Sequence, residues 1–160
     1  GQLIAESNFD IVFGGGEKGI MGALSSSGVR FGARTTGIIP EFLLSKDIVN
    51  SSIPNIFNSE LLVTQTMHER KKMMYEKSDA FIILPGLVGT LDECFEVLPW
   101  CQLNLIKNKK VGIINFKGYW NPLIILIKHL INQEFMSRDN LNYFDEIKKI
   151  SELKKFLKNI

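Results

Sequence analysis

Three segments of the sequence concentrate the residues that could do chemistry. Gly14–Gly22 is rich in glycine, Pro85–Glu93 contains Gly86 and Gly89, and the third segment, Thr66–Met74, carries Arg70 and Lys71. Each glycine-rich segment follows a predicted strand and opens a predicted helix. In that setting free backbone N–H groups and the helix dipole attract an anion. The glycine segments therefore predict anion-binding turns, and the cationic segment lies between them in the sequence.

The first glycine segment has other interpretations. The G-x-G-x-x-G spacing of Gly14–Gly19 also fits a dinucleotide fingerprint, with Glu41 further along as the acid that binds the ribose. Alternatively, the glycines serve only a tight strand-to-helix turn that requires positive φ. The spacing alone leaves these interpretations open.

The second glycine segment ends in a carboxylate with two explanations. Thr90 and Glu93 spell T-x-x-E, the pattern of a capping box at a helix that we expect to begin at Thr90. In that case the Glu93 carboxylate binds the Thr90 N–H. Otherwise it is available for chemistry at the end of the preceding strand.

The cationic segment has a helical pattern of its own. Met67, Lys71 and Met74 share one face, so Lys71 interrupts an apolar stripe, and Arg70 lies beside it. Burying a cation there costs desolvation energy unless an anion compensates it. The alternative is two surface cations whose apolar stems lie along the protein. Thr66 and the glutamate three residues later form a second predicted capping box.

Short apolar runs alternate with helical patterns, which predicts an α/β fold. We expect a Rossmann-like, doubly wound parallel sheet with helices on both faces, in one domain over residues 1–160. The predicted strands are Asp10–Phe13, Thr36–Ile39, Leu61–Thr64, Ala80–Leu84 and Val111–Asn115, and the predicted helices lie near 20–30, 66–77, 90–106 and 120–134.

The two ends of the chain also carry patterns. Gly1–Asn8 is typical of the end of a helix that leads into a strand, so we expect a first strand to be missing before it. Asp145–Ile160 has the apolar spacing of an amphipathic closing helix, whose lysines form a solvated face.

Composition limits the classes of function. The chain has 160 residues, 45% hydrophobic and 22% charged, which excludes disorder and a coiled coil. A net charge of +2 is too small to indicate nucleic acid, and no apolar run approaches the roughly 20 residues that span a bilayer. Cys94 and Cys101, about 10 Å apart if helical, predict neither a disulfide nor a metal site. We expect a cytoplasmic protein.

Together the three segments resemble the LONELY GUY family of cytokinin-activating phosphoribohydrolases, whose members are often mislabelled as lysine decarboxylases. That family carries G-G-G-x-x-G-x-M-G, M-H-x-R-K and P-G-G-x-G-T-x-x-E in this order. Gly14–Gly22 and Met67–Lys71 match completely, and Pro85–Glu93 matches except at Leu87. Similarity also runs through the segments Ile38–Pro40 and Gly118–Asn121.

The resemblance implies that water cleaves the N-glycosidic bond of adenosine 5′-monophosphates, including N6-modified ones, without a cofactor or metal. It implies a homodimer, for which the faces around Trp100 and Leu103 are candidates. Arg70 and Glu93 would be catalytic. The remaining residues that it places against the nucleotide are Gly14, Gly15, Gly16, Asp47, Met67, Lys71, Gly86, Leu87, Val88, Gly89 and Thr90.

Departures from the family pattern keep alternatives open. Leu87 replaces a glycine and is expected to hinder backbone approach to the phosphate, and Pro99 is expected to interrupt and kink the following helix. Asp47 stands where the family usually has Glu. The alternatives are a catalytically impaired nucleotide-binding protein on the same scaffold and, less well matched, a dinucleotide-dependent oxidoreductase.

Overall fold

The computed structural model describes residues 1–44, 59–103, 105 and 109–160. The chain divides into two compact units, Gly1–Ser78 and Asp79–Ile160. Each unit contains a parallel sheet of three strands, with helices between the strands. No helix of the described residues is both long and apolar enough to cross a membrane.

The first unit holds three strands and four helices. Its elements in chain order are α1 (Gln2–Glu6), β1 (Ile11–Phe13), α2 (Gly19–Arg30), β2 (Thr35–Pro40), α3 (Glu41–Leu44), β3 (Ser59–Thr64) and α4 (Met67–Glu76). The strand order is β1-β2-β3, with Thr36 opposite both Val12 and Glu60. All six residues of β2 are buried, as expected for a central strand of a parallel sheet.

The second unit repeats this plan. Its elements are β4 (Ala80–Ile83), α5 (Val88–Gln102), β5 (Lys110–Ile114), α6 (Asn121–Asn132), β6 (Asp145–Ile147) and α7 (Leu153–Leu157), with short 3-10 turns between some of them. The strand order is β4-β5-β6. Val111 and Ile113 of β5 are buried in the sheet, and Ile127 of α6 and Phe156 of α7 are buried helix residues.

Most of the predicted elements are confirmed. All five predicted strands are present within two residues of their expected bounds, and α1 does lead into β1. Parallel strands alternating with helices confirm the predicted Rossmann-like α/β class. The single domain over residues 1–160 stays a prediction.

The prediction for the end of the chain is wrong in its first part. Asp145–Ile147 is not helical but forms β6, which pairs with β5 from Gly112 onward. Only Ile147 of this strand is buried, so three residues carry no alternation that a strand prediction could use. The closing helix is the short α7, which buries apolar residues and exposes its lysines as expected.

Candidate active site

A capping box determines where α4 begins. The Thr66 hydroxyl accepts a hydrogen bond from the Glu69 N–H at 3.1 Å, and the Glu69 carboxylate accepts one from the Thr66 N–H at 3.2 Å. The same carboxylate also accepts the Gln65 N–H at 2.8 Å. This confirms the predicted box and sets the phase of the helix that carries Arg70 and Lys71.

Arg70 is buried rather than on the surface. The residue is only 9% exposed, and its Nε donates a hydrogen bond to the Ile38 carbonyl of β2 at 3.1 Å. A β-carbon on Gly14 would collide with its guanidinium. The fold therefore places the arginine of α4 directly against the first glycine segment, and the surface interpretation of Arg70 is wrong.

Lys71 is also inside the first unit, only 7% exposed. Met67 and Met74, on the same helix face, are half-buried. A lysine in this position costs desolvation energy that a surface lysine does not. Two adjacent cations are therefore held within the first unit, which decides between the two interpretations that the apolar stripe left open.

The first glycine segment is shaped partly by backbone requirements. Gly15 and Gly19 have φ of 78° and 62°, values that favour glycine, so the tight-turn interpretation is confirmed for these two. Gly14 has no positive φ, and its lack of a side chain makes room for Arg70. Gly16 approaches only the end of the flexible Met21 side chain. Turn geometry and packing thus account for three of these four glycines.

Helix α5 begins earlier than predicted. Its N-cap is Leu87, whose carbonyl accepts the N–H groups of Thr90 at 3.0 Å and Leu91 at 3.2 Å. The Thr90 N–H is therefore occupied, and the predicted capping box with Glu93 is wrong. Residues three apart share a helix face, so Glu93 lies on the same face as Thr90, one turn further along. Glu93 is half-buried there.

The two glycines of the second segment differ in what surrounds them. A β-carbon on Gly86 would collide with the Thr90 side chain, so Gly86 makes room for Thr90. A β-carbon on Gly89 would meet nothing within 4 Å among the described residues. Neither glycine has a positive φ. The fold itself therefore requires a glycine at position 86 but not at position 89.

Leu87 fits its position without strain. Its φ is −92° and its ψ −163°, an extended conformation that any residue adopts. The side chain is 83% exposed, and that of Val88 is 79% exposed. Leu87 therefore carries no backbone strain that a glycine would relieve.

Pro99 does not end the helix either. α5 continues through it to Gln102, and Pro99 is exposed. The expected interruption is therefore wrong: a proline on the solvent side removes one internal hydrogen bond, and water can satisfy the freed carbonyl.

Sequence reasoning did not single out Tyr119. Its hydroxyl donates a hydrogen bond of 2.7 Å to the Gly86 carbonyl, and its ring packs edge-to-face on Trp120. The only signal in the sequence was the similarity at Gly118–Asn121, which carried no role with it. The second glycine segment therefore has a side-chain contact from the turn that follows β5.

The cysteines offer no nucleophile. Cys94 and Cys101 are free thiols on α5. Burial raises the pKa of the Cys94 thiol to about 11, so it stays protonated at neutral pH. In the described part of the chain no group of three or more His, Cys, Asp or Glu residues could hold a metal ion.

The predicted site residues fall in both units. Arg70, Lys71 and the first glycine segment belong to the first unit, and Glu93 and the second segment to the second. That they act on one ligand stays a prediction. Asp47 lies outside the described residues.

Comparison with known proteins gives the class. The family described as "Possible lysine decarboxylase" matches residues 21–157. With its parallel α/β fold, its arginine-bearing helix and its glycine segments, the chain belongs to that family. This confirms the resemblance that the three motifs indicated.

Individual relatives carry more specific names. A cytokinin riboside 5′-monophosphate phosphoribohydrolase of Arabidopsis thaliana is 40% identical over 136 residues, which are 85% of this chain and 61% of that protein. A second one from the same plant is 38% identical over 137 residues, 86% of this chain and 62% of its own length. A probable enzyme of the same name from Oryza sativa subsp. japonica is 39% identical over 137 residues, 86% of this chain and 52% of its own. The chain thus spans between half and two thirds of these relatives.

Proposed function

We propose that this chain hydrolyses the N-glycosidic bond of adenosine 5′-monophosphates, plain or N6-modified, to the free base and ribose 5-phosphate. The names of the relatives support this reaction. The structural observation that carries the proposal is the position of Arg70, buried against Gly14 and bonded to Ile38. An arginine held in this way presents a fixed fork of donors, which suits ribosyl or carboxylate oxygens.

The 5′-phosphate is proposed to bind at the beginning of α5. The N–H groups of Val88 and Gly89 lie in the first turn, where no helix carbonyl can accept them, and the helix dipole adds positive potential. The Thr90 hydroxyl is available beside them. Gly89 faces open space, so a phosphate oxygen can approach the backbone closely there.

Glu93 is proposed to act on the ribose and on water. Cleavage of the bond between C1′ and the base nitrogen leaves its electron pair on the base and builds oxocarbenium charge on the sugar. A carboxylate stabilises that charge and takes a proton from the attacking water, whose oxygen bonds to C1′. The departing base takes up a proton from solvent and Glu93 releases its proton to solvent, so the products are the neutral base and ribose 5-phosphate. Arg70 orients the ribose during this step.

Other contacts of the proposal come from the family pattern. Met67, Lys71 and Asp47 are proposed to contact the nucleotide. We also propose a homodimer, for which the exposed Phe95 and Leu103 offer apolar surface near the half-buried Trp100. Cytoplasmic location and the lack of a nucleic-acid partner stay predictions from the sequence.

The test is direct. The protein is incubated with adenosine monophosphate and, separately, with its N6-isopentenyl form, and free base is measured by chromatography. Release of base from either nucleotide supports the proposal. Calorimetric binding of both nucleotides without release of base would instead indicate the catalytically impaired binding protein, and binding of neither would contradict both functions.

A further inference from the structure

The turns that follow β4 and β5 lie side by side. These strands are parallel neighbours, paired from Ala80 opposite Lys110 to Ile83 opposite Ile113. Because parallel strands end at the same edge of a sheet, the segment Gly86–Val88 comes next to the turn Phe116–Gly118. Tyr119 follows that turn and bridges the two, since its hydroxyl donates to the Gly86 carbonyl at 2.7 Å.

The segment that Tyr119 contacts contains two strongly exposed residues. Leu87, the N-cap of α5, makes no side-chain cap hydrogen bond. Leu87 and Val88 extend into solvent and pack against very little. Because these two side chains bury little surface, the hydrogen bond from Tyr119 matters more here than it would in a packed turn.

Tyr119 itself is held in place by buried groups. Its ring lies 4.9 Å from that of Trp120 at 89°, an edge-to-face contact. The backbone N–H of Trp120 donates to Oδ1 of the buried Asn115 at 2.7 Å. The Asn115 side-chain amide in turn donates to Oδ1 of Asn121 at 2.8 Å and to Oε1 of Glu146 at 2.6 Å. A chain of contacts therefore runs from the core of the second unit to the Gly86 carbonyl.

The backbone before Tyr119 is also strained. Lys117 has a φ of 53°, an uncommon conformation for a residue with a side chain, and the following Gly118 has a φ of 75°. Such conformations persist where the surrounding structure compensates for them, and they are concentrated at functional sites. Here two consecutive left-handed residues direct the chain so that Tyr119 reaches Gly86.

We propose that Tyr119 is a positioning residue for the phosphate-binding segment, which rests on the function proposed above. The Gly86–Leu87 peptide is trans, so its carbonyl and its N–H point in opposite directions. Holding the Gly86 carbonyl on Tyr119 fixes the direction of the Leu87 N–H beside those of Val88 and Gly89. Without the hydroxyl, this peptide can rotate and turn a carbonyl oxygen toward the phosphate, which repels it.

The test is Tyr119→Phe, which removes the hydroxyl and keeps the ring on Trp120. Tyr143→Phe is the matched control, because Tyr143 is a half-buried tyrosine of the same unit. Binding of ribose 5-phosphate and of adenosine is measured by calorimetry for each variant, together with KM and kcat for adenosine monophosphate. We expect Tyr119→Phe to weaken ribose 5-phosphate binding and raise KM about fivefold, the effect of one hydrogen bond. Adenosine binding should be unchanged, and kcat should stay within a factor of two of the wild-type value. Tyr143→Phe should change none of these quantities.

Several outcomes would overturn the inference. Tyr119 would be merely structural if Tyr119→Phe and Tyr143→Phe had equal effects on ribose 5-phosphate binding. The same conclusion would follow if Tyr119→Phe weakened the binding of adenosine and ribose 5-phosphate equally, or lowered the Tm with unchanged affinity for ribose 5-phosphate. Failure of the wild type to bind ribose 5-phosphate would also overturn it. If the wild type binds ribose 5-phosphate but releases no base, the proposed hydrolysis fails while the role of Tyr119 is still measured by the binding experiment.

Discussion

Replacing Gly89 by alanine should stabilise the protein and weaken nucleotide binding at the same time. Gly89 is the second residue of α5, and a β-carbon there meets nothing within 4 Å among the described residues. Alanine in a helix is more stable than glycine by about 0.5–1 kcal/mol. For a chain of this size that corresponds to a rise in Tm of about 1–4 °C.

The loss of binding follows from the direction of the new methyl group. Cα–Cβ bonds of a helix tilt toward its N-terminus, so the methyl lies beside the N–H that is proposed to receive the phosphate. Losing one hydrogen bond to a charged group costs about 1.5–3 kcal/mol, which raises KM about 10- to 150-fold. Thermal unfolding by circular dichroism and the release of base from adenosine monophosphate measure the two effects on the same preparation.

Gly86→Ala is the contrasting variant. Its β-carbon would come to 2.9 Å from the Thr90 β-carbon and collide with the Thr90 hydroxyl, so we expect about 1–3 kcal/mol of destabilisation. Stability and activity should therefore fall together in Gly86→Ala and move in opposite directions in Gly89→Ala. An unchanged KM for Gly89→Ala would refute phosphate binding at this backbone, and a lower Tm would refute the assignment of open space.

Three further substitutions test the remaining roles. Glu93→Gln should abolish release of base while adenosine monophosphate still binds by calorimetry, because an amide cannot stabilise the developing cation; Glu96→Gln is its control, and near wild-type turnover would remove Glu93 from catalysis. Arg70→Lys should lose most activity, since an ammonium lacks the planar fork; the same change at the exposed Arg30 should have no effect, and full activity of Arg70→Lys would contradict the proposal. Leu87→Gly should leave the affinity for adenosine monophosphate unchanged, because Leu87 already has negative φ and an exposed side chain. The added chain entropy should lower stability by about 0.5–1 kcal/mol. Tighter binding would show that the leucine obstructs the phosphate.

The elements that sequence analysis predicted best are those with strong local signals. β2 contains the β-branched residues Thr36, Ile38 and Ile39 and is buried along its whole length. The capping box at Thr66 forms because the threonine lies outside the helix in an extended conformation. The same T-x-x-E pattern at Thr90 forms no box, because α5 already begins at Val88 and includes the threonine. Identical local patterns therefore give different structures according to where the preceding turn ends.

Other features depend on residues that are distant in the sequence. The pattern in α4 placed Arg70 and Lys71 beside an apolar stripe but could not decide between burial and exposure. Burial of Arg70 depends on Gly14 and on the Ile38 carbonyl, which come from a loop and a strand more than 30 residues away. The strand β6 likewise exists because β5 offers it an edge, not because three residues favour a strand.

The glycines of the two family motifs are therefore present for different physical reasons. Gly15 supplies a left-handed backbone conformation, while Gly14 and Gly86 make room for Arg70 and Thr90. For these three, the protein's own structure explains the glycine, and the motif match alone is no evidence of a ligand contact. Gly89 has a negative or extended φ and open space around it, so nothing internal requires its lack of a side chain. Because glycine weakens a helix, its presence there favours an external reason, and close approach of a phosphate to the backbone is one.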